Sequence, residues 1–252
     1  MKYPPRGLRV LHDTFTDTNG TTLDNHRPEQ GGAWVPEAGA GVLEIQSNRV
    51  RNTASTGGHR YYNKRKVPLV GLDMSARFYW SGWVWMFGNI GFNAPTGPMN
   101  ATNELTWGYN TDASQWILGL QNQIRWVVSA PSQGVWLRLI VHPDLTYSAA
   151  TAPPAEVPEW VWWIRHGHPA AGWYGNDGWG NQPLYHLTLL PYRFAARTMA
   201  YPKISLGKFA GGNFWELDDL TIHSDVSTSR RNQLIRTKRT GLWTPKRTVI
   251  GR

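Results

Sequence analysis

The chain has 252 residues and 28.5 kDa, with 26 Gly, 17 Pro, 17% charged residues and no Cys. That length suits one large domain or two small ones, a size all-β sandwiches commonly reach as a single unit; the composition argues against a helical bundle, and disulfides, thiolate metal sites and cysteine nucleophiles are excluded. The net charge of +9 is segregated: all 17 acidic residues and 18 of the 26 basic ones precede residue 226, while eight basic residues and no acid follow.

Short apolar or alternating runs separated by Gly, Pro, Asn and Asp predict strands along most of the chain. In order they are Leu8–Phe15, Val42–Gln46, Leu72–Trp80, Trp83–Gly91, Glu104–Tyr109, Gln115–Leu120, Gln123–Ser129 and Val135–His142. Thr146–Thr151, Glu159–Arg165, Leu184–Leu190, Lys203–Phe209 and Trp215–His223 follow. Tight turns are expected at Ser81-Gly82 and around Asn122. Helical periodicity is confined to a short candidate at Phe194–Ala200. Two segments read as loops, Asn93–Asn103 and the Gly-rich His166–Pro183. The pattern predicts a two-sheet antiparallel sandwich or barrel, without an internal repeat. No apolar run approaches the roughly 18–20 residues of a helical membrane span. Met1–Gly7 leads into no signal-type hydrophobic stretch, so export is not expected.

Residues 226–252 form a basic, Ser/Thr-containing arm that cannot bury enough apolar surface to fold alone. Arg230, Arg231, Arg236, Lys238, Arg239, Lys246, Arg247 and Arg252 carry its charge, and Leu234, Ile235, Leu242, Trp243, Val249 and Ile250 offer apolar anchors. A solvated tail, a nucleic-acid arm and an assembly arm are all compatible with that pattern. Nucleic acid is disfavoured, since no nucleic-acid-binding fold accompanies the arm and only Trp243 offers a stacking surface. Docking on a neighbouring subunit is the expected role, centred on Arg230, Arg231, Arg236, Lys238, Arg239, Leu242, Trp243, Lys246 and Arg247.

The opening segment Asp13-Thr14-Phe15-Thr16-Asp17-Thr18-Asn19-Gly20-Thr21-Thr22-Leu23, then His26-Arg27-Pro28 and Gly31-Gly32-Ala33-Trp34, resembles the first strand and turn of concanavalin A-like (laminin-G-like) sandwiches. Gly134-Val135-Trp136-Leu137-Arg138-Leu139-Ile140-Val141 resembles their central strand, followed by a hairpin partner at Leu145–Ala150 and by Glu159-Trp160. Lys203-Ile204-Ser205-Leu206-Gly207 and Phe214-Trp215-Glu216-Leu217-Asp218-Asp219-Leu220-Thr221-Ile222 resemble the closing pair, whose last strand lies beside the first. The resemblance spans about residues 11–225, leaving 1–10 as a lead-in and 226–252 as the arm. It implies an all-β jelly-roll sandwich with an extended C-terminal arm. Modules of this family occur in bacterial carbohydrate-binding proteins and in bacteriophage virion proteins, and the fold hosts lectins, hydrolases and inert scaffolds alike.

Glycoside hydrolysis needs two carboxylates about 5–5.5 Å or 6.5–9.5 Å apart. Glu216 and Asp218 alternate correctly on a strand, but lie on the closing strand with no third alternating acid, so no catalytic residue is assigned. Asp17, Asn19 and Asp24 with Asp218 or Asp219 could supply oxygens to a structural calcium; ordinary Asx-turn chemistry explains the same residues. His166 and His168 lack a third ligand nearby and read as loop histidines. No nucleophile elbow or phosphate loop is present. Of the 15 Trp, those in strands (Trp80, Trp83, Trp85, Trp107, Trp116, Trp126 and Trp136) are expected in the core, since each can bury about 150–250 Å². Trp173, Tyr174 and Trp179 in the long loop are open to sugar contact, partner contact or local packing.

The expected function is a non-enzymatic structural or attachment protein of a bacteriophage-like virion. It would be made in the host cytoplasm and oligomeric in its assembly, its arm would contact other virion subunits or itself, and its body could meet a host-surface glycan. A carbohydrate-binding module and a glycoside hydrolase of the same fold are the alternatives.

Overall fold

The computed structural model describes residues 7–37, 41–53, 57–81, 86–93, 104–110, 114–120, 122–128, 132–156, 158–171, 174–176, 199–208 and 214–225. These form strands β1 (Leu8–Asp13), β2 (Trp34–Pro36), β3 (Leu43–Ile45), β4 (Val50–Asn52), β5 (Gly57–Asn63), β6 (Val67–Pro68), β7 (Leu72–Ser81), β8 (Met86–Asn93) and β9 (Glu104–Asn110). They continue with β10 (Gln115–Leu120), β11 (Asn122–Val127), β12 (Val135–Val141), β13 (Tyr147–Ala152), β14 (Val161–Arg165), β15 (His168–Pro169), β16 (Tyr174–Asn176), β17 (Met199–Lys208) and β18 (Phe214–Ser224). No helix occurs among the described residues.

The strands build two antiparallel sheets. Sheet A runs β15-β14-β13-β12-β7-β18-β4-β3, with β1 also on β18; sheet B runs β16-β11-β10-β9-β8-β17-β5-β2, with β6 on β17. The protein is therefore the all-β jelly-roll sandwich that the resemblance implies. Its first strand does lie beside its last, with Leu8 opposite Ser224 and Asp13 opposite Leu220. β12 is central, between β7 and β13.

Alternation fixes which side chains fill the sandwich. Leu72, Met74, Ala76, Phe78 and Trp80 of β7, and Val135, Leu137, Leu139 and Val141 of β12, point inward from sheet A. Ile90, Phe92, Leu105, Trp107, Tyr109, Trp116, Leu118, Ile204 and Leu206 meet them from sheet B. The tryptophans form a continuous cluster: Trp107 stacks on Trp116 at 5.6 Å and meets Trp126 edge-on at 6.1 Å, while Trp80 and Trp215 lie 5.5 Å apart. Trp107 Nε1–H donates to the Ala150 carbonyl at 3.0 Å, tying sheet B to sheet A. Opposite them Gly88 admits the rings, because a Cβ there would stand 2.9 Å from Phe78 and 3.0 Å from Trp215.

Several expectations are corrected. Met199 and Ala200, placed in a short helix, open β17, where they pair with Pro68 and Val67; residues 194–198 lie outside the described residues. The segment expected as one loop, His166–Pro183, contains β15, which pairs with β14, and β16, which pairs with β11. Trp136 is not in the core. It lies opposite Arg77, on the alternate face from Val135 and Leu137, and turns outward under the Arg77 guanidinium at 5.3 Å. Trp80, Trp107, Trp116 and Trp126 are buried as expected, whereas Trp83 and Trp85 lie outside the described residues. The expected strand Leu184–Leu190 and the whole arm, 226–252, also lie outside them.

Candidate functional site

The sequence-predicted acids fall into two separate places. Glu216 faces outward on sheet A, where the register sets it opposite Arg51 on β4 and Tyr79 on β7. Its carboxylate, 4% exposed, accepts from Arg49 Nη1 at 3.1 Å and from Arg51 Nε at 2.7 Å, with Arg51 Nη2 also on it. The Arg49 guanidinium lies 3.7 Å above the Tyr79 ring and that of Arg51 3.9 Å above Phe214. Glu216 is thus enclosed by cations rather than presented to a substrate.

Asp218 shares the same face, 3.9 Å from Arg49 Nε, and Asp219 lies 3.6 Å from Arg77 Nη1. Register slips between Asp218 and Thr221, and Asp219 takes φ 51°, so the two acids sit on a bulge. Burial, and then the neighbouring Asp219 charge, push the Asp218 carboxyl up to about 6; the arginines only partly offset this.

In the opening turn, Asp17 and Asn19 are engaged in hydrogen bonds of their own. Asp17 Oδ1 accepts from Thr18 N at 2.7 Å, an Asx-type contact, and its Oδ2 meets His26 Nδ1 at 3.0 Å. Asn19 Oδ1 accepts from Ser47 N at 2.8 Å, and Asp24 is exposed. His26 Nε2 reaches the buried Asp13 at 2.8 Å, and Asp13 also accepts from Phe15 N and Trp34 Nε1. Burial opposes the His26 proton, but Asp13 and then Asp17 outweigh it and raise its pKa; His26 in turn holds Asp17 below the usual carboxylate range. The residues Asp13, His26 and Trp34 are therefore one hydrogen-bonded knot beneath the first strand. Among the described residues no three His, Asp or Glu gather into a group able to hold a metal ion.

His166, expected as a loop histidine, stacks on His142 at 3.8 Å, and both contact the Ser148 hydroxyl. They border an open cavity of about 120 Å³ at one end of sheet A, together with Asp73, Arg138 and Asp225. Arg138 is held there by a buried two-point pair with Asp73, at 2.8 and 2.6 Å.

The outer face of sheet B has a different character. Its register aligns Tyr62, Lys203, Gly91, Thr106 and Gly119 in one row across β5, β17, β8, β9 and β10, and Arg60, Ser205, Asn89, Gly108 and Ile117 in the next. Glycines thus occupy the middle. A Cβ on Gly91 would stand 2.3 Å from the Leu105 carbonyl, and one on Gly119 would stand 2.5 Å from Thr106 Oγ1, so backbone forms the floor there. One end carries Tyr62 and Tyr201, packed edge-on at 5.5 Å, with Lys66 Nζ 5.2 Å from the Tyr201 centroid. Beside them Glu37, following β2, joins Lys203 Nζ at 3.0 Å and Arg60 Nη1 at 3.9 Å. At the other end β16 adds to β11, and the backbone of Tyr174 lies in register with Arg125 and, through β10, with Ile117. Trp173 and Trp179 lie outside the described residues. Tyr62, Tyr201, Arg60, Lys66, Lys203 and Glu37 were missed from sequence. The alternation of His59-Arg60-Tyr61-Tyr62 was the signal that could have found part of the set.

The sequence matches no family profile and no curated protein. Among solved structures the chain is similar to an uncharacterized protein from Mycobacterium paratuberculosis, with TM-score 0.54 and 9% identity over 84% of this chain and 99% of that one. It is also similar to an immunostimulatory antigen and pseudo beta-1,3-glucanase of Mycobacterium tuberculosis, with TM-score 0.50 and 9% identity over 86% and 98% of the two chains. Lectin II from Ulex europaeus follows at TM-score 0.47 and 10% identity, over 83% of this chain and 100% of that one. At such identities the first two likenesses speak for the fold alone, a two-sheet antiparallel sandwich.

Proposed function

We propose that this chain is a non-enzymatic attachment protein that binds a glycan across the outer face of sheet B. The observation that carries the reading is the composition of that face: a backbone floor flanked by the Tyr62–Tyr201 pair and the Glu37–Lys203–Arg60 cluster. Sugar rings stack on aromatic faces and hydrogen-bond to fixed polar groups beside them. Hydrolysis would need a second carboxylate across the scissile bond. The strand β9 carries a single acid, Glu104, in its sequence, and Glu216 is enclosed by Arg49 and Arg51 on the opposite sheet. The test is a glycan array with Tyr62→Ala plus Tyr201→Ala, alongside reducing-sugar release from the same polysaccharides. Loss of binding at a nearly unchanged melting temperature, with no sugar released, is the expected result. Retained binding, or turnover lost on Glu104→Gln, would overturn it.

A second contact is proposed at the Trp173–Trp179 segment on its aromatic composition, Trp173, Tyr174 and Trp179 each offering a ring on which a sugar can stack. Trp173→Ala with Trp179→Ala should then weaken binding further. The wider setting we propose is a bacteriophage-like particle in which the basic arm, residues 226–252, docks on neighbouring subunits or on itself. The charge segregation and the apolar anchors Leu242 and Trp243 support this. Light scattering of the full chain and of a 1–225 truncation, at low and high salt, tests it. A defined oligomer formed only by the full chain and stable to salt is expected, and monomers in both cases would refute self-assembly.

A further inference from the structure

We infer that the glycan taken by the outer face of sheet B is anionic, a polysaccharide bearing carboxylates on its sugar rings; this deepens the glycan-binding reading and rests on it. The argument starts from charge. At the Tyr62–Tyr201 end the described side chains include Arg60, 46% exposed, the buried Lys203, and an exposed turn of Lys64, Arg65 and Lys66 between β5 and β6. The acid standing against Lys203 and Arg60 is Glu37, itself 4% exposed and shared between them. Among the described side chains, that end therefore carries more cations than acids.

The position of Lys66 decides between neutral and acidic sugars. Its ammonium lies 5.2 Å from the Tyr201 ring centroid, within reach of the face on which a sugar would stack. A neutral ring must displace it, losing a cation–π contact worth about 0.5–1 kcal/mol at an exposed site, and brings nothing to replace it. A ring carrying a carboxylate draws the ammonium onto its own charge and uncovers the tyrosine. Arg60 adds a planar two-donor fork, the geometry that matches a carboxylate rather than a point charge. Lys203 and Glu37 hold the base of that cluster in place, because their 3.0 Å pair spans β5 from β17 to the end of β2.

The test uses the full chain with polygalacturonate, its carboxyl-reduced neutral form, and dextran sulfate, measured by calorimetry at about 50 and 300 mM salt, a range over which exposed charge contacts are progressively screened. The expected result is binding to polygalacturonate that weakens about tenfold or more at the higher salt, with the neutral form bound at least tenfold less well. Arg60→Gln with Lys66→Gln should reduce affinity about tenfold at low salt and flatten the salt dependence, at an unchanged melting temperature. Equal affinity for the neutral polymer, or no effect of that double variant, overturns the inference while leaving glycan binding intact. Binding confined to dextran sulfate overturns the carboxylate assignment. Loss only on Arg236→Gln, Lys238→Gln and Arg239→Gln also overturns it, by moving polyanion binding to the arm. If no polysaccharide is retained, charged or neutral, the glycan-binding reading itself fails.

Discussion

Replacing Glu216 separates a structural carboxylate from a catalytic one. Glu216→Gln keeps the shape but removes the charge that neutralises Arg49 and Arg51, whose side chains are 34% and 30% exposed. Breaking a fully buried ion pair costs about 3–5 kcal/mol, and an exposed pair is worth about 0.2–1 kcal/mol. Here the acid is buried and the two cations are partly wet, so the loss should be about 2 kcal/mol. With a urea dependence near 3 kcal/mol per molar, the unfolding midpoint should fall by about 0.7 M at unchanged slope. Arg51→Met should cost a similar amount, and the double variant less than the sum of the two, because they share one interaction. A catalytic acid behaves differently, since its removal commonly leaves stability unchanged or raises it. An unchanged midpoint in Glu216→Gln would refute the ion-pair argument and return this residue to the list of catalytic candidates.

Asp218, with its pKa raised to about 6, is an acid that the folded state prefers protonated, so its penalty sets in as pH rises past its ordinary value of 3.8 and is complete above about 6. Asp218→Asn should therefore stabilise the protein by about 1 kcal/mol at pH 7, after allowing for solvent, and by little at pH 4, as read from urea curves at both pH values. His26 has the opposite profile. Its raised pKa means that its contribution is full below the ordinary value of 6.5 and fades as pH climbs through the folded value above it, so the stability gap between wild type and His26→Gln should narrow as pH rises from the acid side of 6.5 to well above it, as read from urea curves. Trp107→Phe removes the bond to the Ala150 carbonyl and leaves a void among Trp116 and Trp126. A loss of about 2–3 kcal/mol is expected by thermal unfolding, and no loss would show that the cluster repacks freely.

Strands that alternate or run apolar were legible from composition alone; β7, β9, β10 and β12 are found within two residues of their expected bounds. β5 was not, because Gly57-Gly58 opens it and its inward positions are His59, Tyr61 and Asn63, two of them polar. β17 was read short, since Pro202 argues against a central strand, yet it pairs with Phe92 there. The alternation of Glu216 and Asp218 was visible, but their partners Arg49 and Arg51 come from the end of the β3–β4 turn and from β4, more than 160 residues earlier. The face of sheet B was hidden for the same reason: its rows exist only once β17 has inserted between β5 and the β8–β9–β10 meander.

The pairing of β1 with β18 also sets when the molecule can become itself. His12 meets Thr221 across 209 positions of sequence, and β1 and β4 occupy successive stretches of one flank of β18, on either side of the Asp218–Leu220 bulge. During synthesis the opening strand and the outer edge of the β3–β4 hairpin must therefore wait for a partner made 209 and 165 residues later respectively. Contacts so distant in sequence are slow to form, and the waiting edges are templates for misassociation. Completion of β18 is thus the step that turns a collection of adhesive ribbons into one continuous sheet, and any event that halts translation before residue 214 leaves both edges open.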